Sequence, residues 1–216
     1  GGVRVVPSSG DPIEVDRANQ EAAGRLSAQG ADRAIAAGLR ARASTARSSM
    51  GVGAAMTGLR PVVELMTINF SLLALDQIVN HAAHIRYMFG GQVSVPLVVR
   101  MPQGAGHQLG PTHSHCFEAL YLHVPGLLVA IPSNAADAKG LLKAAIRDDN
   151  PVIFIEHEYL YGQRGEVPED EDHTVDFGQA AIRREGDDVT IVGISRMAIT
   201  AEKAAKTLSD EHEVEA

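Results

Sequence analysis

Short apolar runs alternate with amphipathic stretches from Gly51 onward, and this alternation predicts a parallel sheet wrapped by helices. The runs are rich in β-branched residues and have the length of buried parallel strands. The predicted strands are Val62–Met66, Val93–Val99, Leu127–Ile131 and Val152–Ile155. The predicted helices between them are Ser71–Phe89, Ser114–Leu122 and Asn134–Arg147. The sequence therefore predicts an α/β fold with a mostly parallel sheet and helices on both faces.

The last of these helices has the clearest boundary signals. Ser133 and Asn134 form a capping signal at its start, and Asp137 lies in its first turn. Lys143 and Arg147 lie towards its end, where positive charge complements the helix dipole. These residues predict a well-defined helix before the strand that begins at Val152.

The ends of the sequence differ from this alternating region. The predicted organisation is residues 1–50 as a weakly helical or disordered segment, 51–160 as the main domain, 161–186 as an acidic linker, and 187–216 as the start of a second α/β domain. The last part contains a predicted strand at Asp188–Ile194 and a predicted helix at Met197–Leu208. About 30 residues are too few for such a domain. We therefore expect a truncated second domain and a sequence cut at both ends.

Composition narrows the possible partners. The chain is 45% apolar and 21% charged, which is ordinary for a globular protein. Its net charge of −8 gives no basic surface for nucleic acid, so we expect no such partner. The single cysteine, Cys116, excludes an intrachain disulfide framework and a thiolate zinc site. No apolar run approaches the ~20 residues that span a bilayer, so we expect no membrane partner either.

Several sequence blocks carry a family resemblance. They are Gly51–Pro61, Glu64–Phe70, Gly90–Arg100, Pro102–Cys116, Ala138–Pro151 and Glu156–Tyr161. In this order and spacing they resemble the beta subunit of thiamine-diphosphate-dependent 2-oxoacid dehydrogenases, of the pyruvate dehydrogenase and acetoin dehydrogenase type. The resemblance covers roughly residues 51–216, and it implies that the main domain is a transketolase-like pyrimidine-binding domain.

The resemblance also implies a cofactor and partners. The chain would contribute the aminopyrimidine pocket for thiamine diphosphate, while an alpha subunit would hold the diphosphate and magnesium. The assembly would be an alpha2-beta2 heterotetramer that decarboxylates a 2-oxoacid and passes the acyl group to a lipoyl-bearing acyltransferase. Without the alpha subunit the chain is expected to be inactive. The expected location is a bacterial cytoplasm or an organelle matrix.

Specific residues receive roles from the same resemblance. Phe70 would support the aminopyrimidine ring and Met66 would line its pocket, with ordinary core packing as the alternative for both. His113 would act at the reacting centre as an imidazole that moves a proton or stabilises the oxoacid, unless it is merely a polar residue at a helix start. Main-chain oxygens at a helix end would bind potassium, or would form a plain C-cap before proline. The residues of that site would be Leu97, Ala145, Ile146, Asp148 and Asn150.

The family's activating glutamate has no counterpart that we can identify. It lies on the first strand of this domain in the family, and residues 1–50 contain no matching strand. Glu14 and Glu21 are the glutamates there, and we assign the role to neither. A shifted reading frame or a wrong gene start is one hypothesis for this segment.

The sequence is open to four other interpretations. The chain would be an inactive fragment without cofactor binding if the missing strand is essential. A single-chain enzyme of the transketolase type would require a Gly-Asp-Gly block upstream. A nucleotide-binding module ranks last, because no phosphate loop of known spacing follows a strand. A metal cluster of His107, His113, His115 and His123 ranks low, because their spacing places few of them on one face.

Overall fold

The computed structural model describes residues 44–105 and 109–216, and within them a parallel sheet forms the centre of the fold. Its strands are β1 (Val62–Glu64), β2 (Val98–Gln103), β3 (Leu128–Ala130) and β4 (Val152–His157). They lie in the order β1-β2-β4-β3, and every pairing is parallel. The α/β class predicted from the alternating pattern is confirmed. The interpretation of residues 1–50 falls mainly on residues outside the described range.

Strand β2 begins later than the apolar run predicts. The run from Val93 to Leu97 is largely buried, but it lies before the paired strand, and its bond to a neighbouring strand is that of its last carbonyl, Leu97, with the Val152 N–H. The Leu97 N–H donates instead to the Val95 carbonyl, at 2.8 Å, and this local bond turns the chain. Pairing starts at Val98 and continues through the polar Arg100 to Gln103. The predicted boundary was therefore wrong, because an apolar run reports burial rather than hydrogen bonding.

The helices agree in position with the predictions but differ in regularity. Residues 44–56 form helix α1, and the other α-helices are α2 (Ile85–Met88), α3 (Glu118–Leu122), α4 (Ala135–Arg147) and α5 (Arg196–His212). The predicted long helix over Ser71–Phe89 is instead a series: a 3-10 segment at Ile68–Ala74, a π segment at Gln77–Ala83, and then α2. The predicted Ser114–Leu122 helix is reduced to α3. Its first residues form the loop that later carries the candidate site.

Apolar side chains pack on both faces of the sheet. Along β2 and β4 alternate residues point to opposite faces, as the pleat requires. One cluster contains Val99, Met101, Ile153 and Ile155 together with residues of α1 and of the Ile68–Ala74 segment. The other contains Val98, Val152 and Phe154 and is covered by α4. The prediction of helices on both faces is therefore confirmed.

Helix α4 begins and ends as predicted. The Asn134 side chain accepts a hydrogen bond from the Asp137 N–H at 2.8 Å, which caps the first turn. An extended acidic segment, residues 168–177, lies along the outer side of this helix. It is held by Lys139, Lys143 and Arg147, which donate to Pro168, Asp170, Glu171 and Asp172. We call residues 168–177 the acidic strap.

The predicted strand at Asp188–Ile194 does not form, and this prediction was wrong. Its residues are irregular, and Val192 is 84% exposed. The Asp188 and Val189 N–H groups donate to the Glu215 carbonyl, at 3.0 and 3.3 Å, but no described strand pairs with the rest of the segment. The predicted helix at Met197–Leu208 is confirmed as part of α5. No helix among the described residues is long and apolar enough to span a membrane.

Candidate functional site

The carboxyl edge of the sheet gathers the residues that the sequence singled out. The chain leaves β1 through Met66 and enters the Ile68–Ala74 segment, which carries Phe70. Strand β2 ends at Gln103 and leads into the loop that carries His113. Open parallel sheets bind ligands at this edge. The sequence-derived cofactor residues and the candidate catalytic residue therefore belong to one edge.

Phe70 and His113 are in direct contact. Their ring centroids are 5.3 Å apart and the planes cross at 83°, an edge-to-face arrangement. His113 ends a short 3-10 turn, Pro111–His113, that is entered through Gly110 at a φ of 86°. The Thr112 hydroxyl lies 3.0 Å from His113 Nδ1 and orients the ring. Both rings are half-buried, so each keeps an accessible surface.

Met66 lies on the same edge with its side chain exposed. Its neighbours Leu65 and Ile68 are fully buried, whereas Met66 is 59% exposed. Met66 therefore does not pack in the core of the single chain, and its part in a ligand pocket stays a prediction. Its exposure leaves a polarizable thioether available to a ligand or a partner surface.

Two residues near His113 received no role at this edge from the sequence, although His115 was one of the four histidines considered as a metal cluster. The Asn69 side-chain amide contacts His115 Nδ1, and the His115 ring stacks on Phe117 at 4.8 Å. Below them, the buried Tyr121 hydroxyl donates to Ser71 Oγ, which donates to the Ile68 carbonyl. These bonds tie the His113 loop and α3 to the segment that carries Phe70. The His-Ser-His spacing was the available signal for His115, and nothing in the sequence pointed to Asn69.

A charged network lies beside this edge on the α4 face of the sheet. Arg100 donates to Glu156 at 3.0 Å and to Glu64 at 3.2 Å, and so joins three adjacent strands. Hydrogen bonding to Glu156 is the main reason that the pKa of Arg100 is raised. Tyr161 donates to Glu156 at 2.9 Å, and burial followed by this bond raises the pKa of its phenol. The network fixes the strand ends in register.

The residues of the predicted potassium site lie together at the end of α4, but Arg60 already binds two of their oxygens. Arg60 Nη1 donates to the Ile146 carbonyl at 3.1 Å and to the Asp148 carbonyl at 2.8 Å. The Leu97 carbonyl accepts from the Val152 N–H at 2.8 Å. Asn150 lines a cavity of about 270 Å³ with Arg86 and Gly126, and His113 is not part of its lining. Ala145 is buried in the core beneath α4.

Carboxylates, imidazoles and thiols do not gather into a metal site in the described part of the chain. No group of three or more His, Cys, Asp or Glu that could hold a metal ion occurs there. His107 lies outside the described residues, while His115 and His123 flank α3. The described side chains offer rings and N–H donors rather than an oxygen cage.

Comparison with known proteins identifies the class. Residues 18–163 match the family described as "Transketolase, pyrimidine binding domain". The chain belongs to this family. A split-gene transketolase, described as an inactive beta4 tetramer, has the same fold with a TM-score of 0.60 at 24% identity, over 77% of this chain and 50% of that one.

The curated proteins that resemble this chain form a narrower group than the domain family. The chain is 55% identical over 161 residues to the pyruvate dehydrogenase E1 component subunit beta of Rhizobium meliloti, over 74% of this chain and 35% of that protein. It is 52% identical to the mitochondrial subunit beta-1 of Arabidopsis thaliana, over 76% of this chain and 46% of the relative. The Caenorhabditis elegans mitochondrial subunit is 52% identical over 74% of this chain and 47% of that one. The chain thus spans about a third to a half of the length of these relatives.

The family implies thiamine diphosphate, and the edge residues fit one part of it. The flat ring of Phe70, the exposed thioether of Met66 and the imidazole of His113 suit an uncharged heteroaromatic ring. The described residues form no group of oxygen ligands that would suit magnesium and a diphosphate. The fit is therefore to the pyrimidine half of the cofactor.

Proposed function

We propose that this chain works as the beta-type subunit of a 2-oxoacid dehydrogenase of the pyruvate dehydrogenase kind. It contributes the aminopyrimidine pocket in oxidative decarboxylation of a 2-oxoacid and acyl transfer to a lipoyl-bearing acyltransferase. The observation that carries the proposal is the edge-to-face contact of Phe70 and His113 at the carboxyl edge of the sheet. The names and identities of the curated relatives support the same activity.

Each site residue has a distinct part in this proposal. Phe70 supports the aminopyrimidine ring through its accessible face, and Met66 forms an adaptable wall beside it. His113 moves a proton or stabilises the oxoacid at its Nε2, because Thr112 engages its Nδ1. When bound, thiamine diphosphate supplies the carbanion-stabilising chemistry that side chains lack. The chain's task is to hold and orient it.

The proposal requires other chains. An alpha subunit holds the diphosphate and magnesium, and a second beta subunit completes an alpha2-beta2 heterotetramer. This chain alone is therefore proposed to be inactive. Because the curated relatives include bacterial and mitochondrial proteins, we propose a bacterial cytoplasm or an organelle matrix as its location.

Potassium at the end of α4 is a further part of the proposal. Its ligands are the main-chain oxygens of Leu97, Ala145, Ile146, Asp148 and Asn150. Since Arg60 donates to two of these carbonyls, the ion has to share them through their second lone pairs. Thermal unfolding in potassium chloride, compared with sodium chloride at equal ionic strength, tests this. Equal melting temperatures would favour the C-cap alternative, in which Arg60 alone neutralises the helix end.

Calorimetric titration of thiamine diphosphate and magnesium into this chain, mixed with the alpha subunit of a relative, tests the main proposal. Phe70→Leu is expected to weaken binding by about three- to tenfold, because a stacked aromatic pair contributes ~0.5–1.5 kcal/mol beyond its area. His113→Gln is expected to keep binding and lower turnover by about 10²–10⁴-fold. Phe89→Leu, at an exposed ring that follows α2, is the matched control and is expected to change neither.

The outcomes separate the alternatives. Binding and decarboxylation in the mixture, with neither in this chain alone, support the beta-subunit proposal. No binding in the mixture, followed by binding when upstream residues are added, identifies the chain as an inactive fragment. Turnover without any alpha subunit would favour a single-chain enzyme and contradict the proposal.

A further inference from the structure

Two consecutive residues of the Ile68–Ala74 segment each contact one histidine of the neighbouring loop. Phe70 meets His113, and Asn69 meets His115 through a side-chain contact to Nδ1. The His115 ring is further fixed by stacking on Phe117, with 15° between the planes. The His115 ring is therefore held by contacts of its own, as the His113 ring is. His115 is nevertheless exposed, and no role has been assigned to it.

The orientation of the Asn69 amide determines which nitrogen of His115 carries the proton. The Thr67 hydroxyl donates to Asn69 Oδ1 at 3.4 Å, so the amide NH2 faces the imidazole. An NH2 group donates, which makes His115 Nδ1 the acceptor. A neutral imidazole with Nδ1 as acceptor carries its proton on Nε2. Within the described residues no hydrogen-bond partner of Nε2 is present, and this N–H remains available to a ligand.

We propose that His115 binds the 2-oxoacid substrate through its Nε2–H, and that Asn69 is the positioning residue that fixes this tautomer. The acceptor is the substrate carboxylate, because an imidazole N–H bonds a charged oxygen more strongly than a neutral one. His113 and His115 are two residues apart, and both are anchored to the segment that carries Phe70. Because Phe70 and Asn69 are adjacent in the chain, the proposal places a ligand held against Phe70 within reach of both imidazoles. This inference rests on the proposed function for the identity of the substrate, but the tautomer does not depend on it.

Long-range ¹H–¹⁵N NMR of the chain, labelled at histidine, tests the tautomer directly. In the parent protein His115 is expected to show the pattern of an Nε2–H imidazole. Asn69→Asp is expected to reverse it, because a carboxylate only accepts and draws the proton to Nδ1. Asn69→Leu removes the partner without reversing the tautomer. An unchanged His115 pattern in Asn69→Asp would overturn the positioning role of Asn69.

Steady-state kinetics with pyruvate, in the assembly with an alpha subunit, thiamine diphosphate and magnesium, test the binding role. His115→Leu is expected to raise KM for pyruvate by about ten- to a hundredfold, the effect of losing one hydrogen bond to a charged group. The change in kcat is expected to stay within a few-fold. His115→Gln retains an N–H near the Nε2 position and is expected to recover most of the loss. His123→Leu, an exposed histidine at the end of α3, is the matched control.

Failure of the inference and failure of the proposed function give different results. An assembly of the parent chain that binds no cofactor and consumes no pyruvate contradicts the proposed function, while the NMR result stands separately. An active assembly in which His115→Leu leaves KM unchanged overturns the inference alone. A fall in kcat without a change in KM would also overturn it, because it would place His115 in the chemical step rather than in binding.

Discussion

Tyr121 connects the core to the candidate site by a single buried hydroxyl. It is fully buried, and its hydrogen bond to Ser71 joins α3 to the segment that carries Phe70. Burial raises the pKa of Tyr121 to about 12. An unfolded tyrosine ionises near pH 10, so the unfolded state loses its proton first as the pH rises. The stability that Tyr121 contributes is therefore complete below about pH 10 and is lost between about pH 10 and 12.

Tyr121→Phe should have two effects on the free energy of unfolding. At neutral pH we expect a loss of about 1 kcal/mol for the hydrogen bond. Between pH 10 and 12 we expect a shallower decline than in the parent protein, by about 2–3 kcal/mol across the range. Urea unfolding at pH 8, 10 and 12 measures both. Tyr87→Phe, at a side chain that is 90% exposed, is the control, and an equal alkaline decline in Tyr121→Phe and the parent would contradict the assignment.

Several site residues could be predicted because their signals are local. Asn134 and Asp137 identify the cap of α4 within four residues of sequence, and the structure has that bond. The contact of Asn69 with His115 could not be predicted, because it joins residues 46 positions apart. The sequence around Asn69 or His115 does not predict which residue either one contacts. Sequence therefore predicts which segments approach the edge, while the pairing of side chains depends on how the loop packs.

At the level of elements, Gly140 lets the acidic strap lie against α4. The strap turns His173, Val175 and Phe177 inward at alternate positions, as an extended chain does. A Cβ on Gly140 would lie 2.5 Å from Val175 Cγ2 and 3.0 Å from the Val175 nitrogen. Glycine inside a helix normally costs about 0.5–1 kcal/mol relative to alanine. At Gly140 the absence of a side chain, obtained at that cost, permits close contact between α4 and the acidic strap.

Gly140→Ala is therefore expected to release the strap rather than simply stabilise the helix. Hydrogen exchange measured by mass spectrometry should show faster exchange in residues 168–177 and little change in β4. Gly53→Ala is the matched control, because Gly53 lies in α1 with nothing within 4 Å of an added Cβ. That variant should gain about 0.5–1 kcal/mol of stability. Unchanged exchange of the strap in Gly140→Ala would contradict the packing described for it.

The success of the helix predictions differed from one element to another. Helix α4 was predicted correctly since its apolar face, cap and charges agree. The stretch from Ser71 to Phe89 has a helical pattern too, yet it folds as 3-10, π and α turns. The Ser71 hydroxyl bonds the Ile68 carbonyl and Tyr121, and these contacts tighten the first turns. Tertiary bonds of this kind override the local preference for one regular helix.

On the scale of the whole molecule, the sheet is well covered while the chain after the strap is not. Residues 182–197 include Ile182 at 76% exposed and Val192 at 84% exposed. The β-branched pattern of Asp188–Ile194 within this stretch led to the prediction of a strand, and no strand lies beside it among the described residues. An exposed apolar segment that belongs to no sheet tends to associate with another chain. The isolated protein should therefore self-associate through this segment.

Val192→Lys should weaken that self-association by about tenfold or more, because it removes one apolar side chain from the shared surface and adds a charge that resists burial. Sedimentation velocity over a range of concentrations measures the association constant. Gln179→Lys places the same charge on another exposed position after the strap without removing apolar area, and should leave the constant within about twofold. If both lysine variants weaken association equally, net charge rather than the apolar segment governs it. If neither does, the chain associates through another surface, and the sheet edge that carries Met66 becomes the next surface to test.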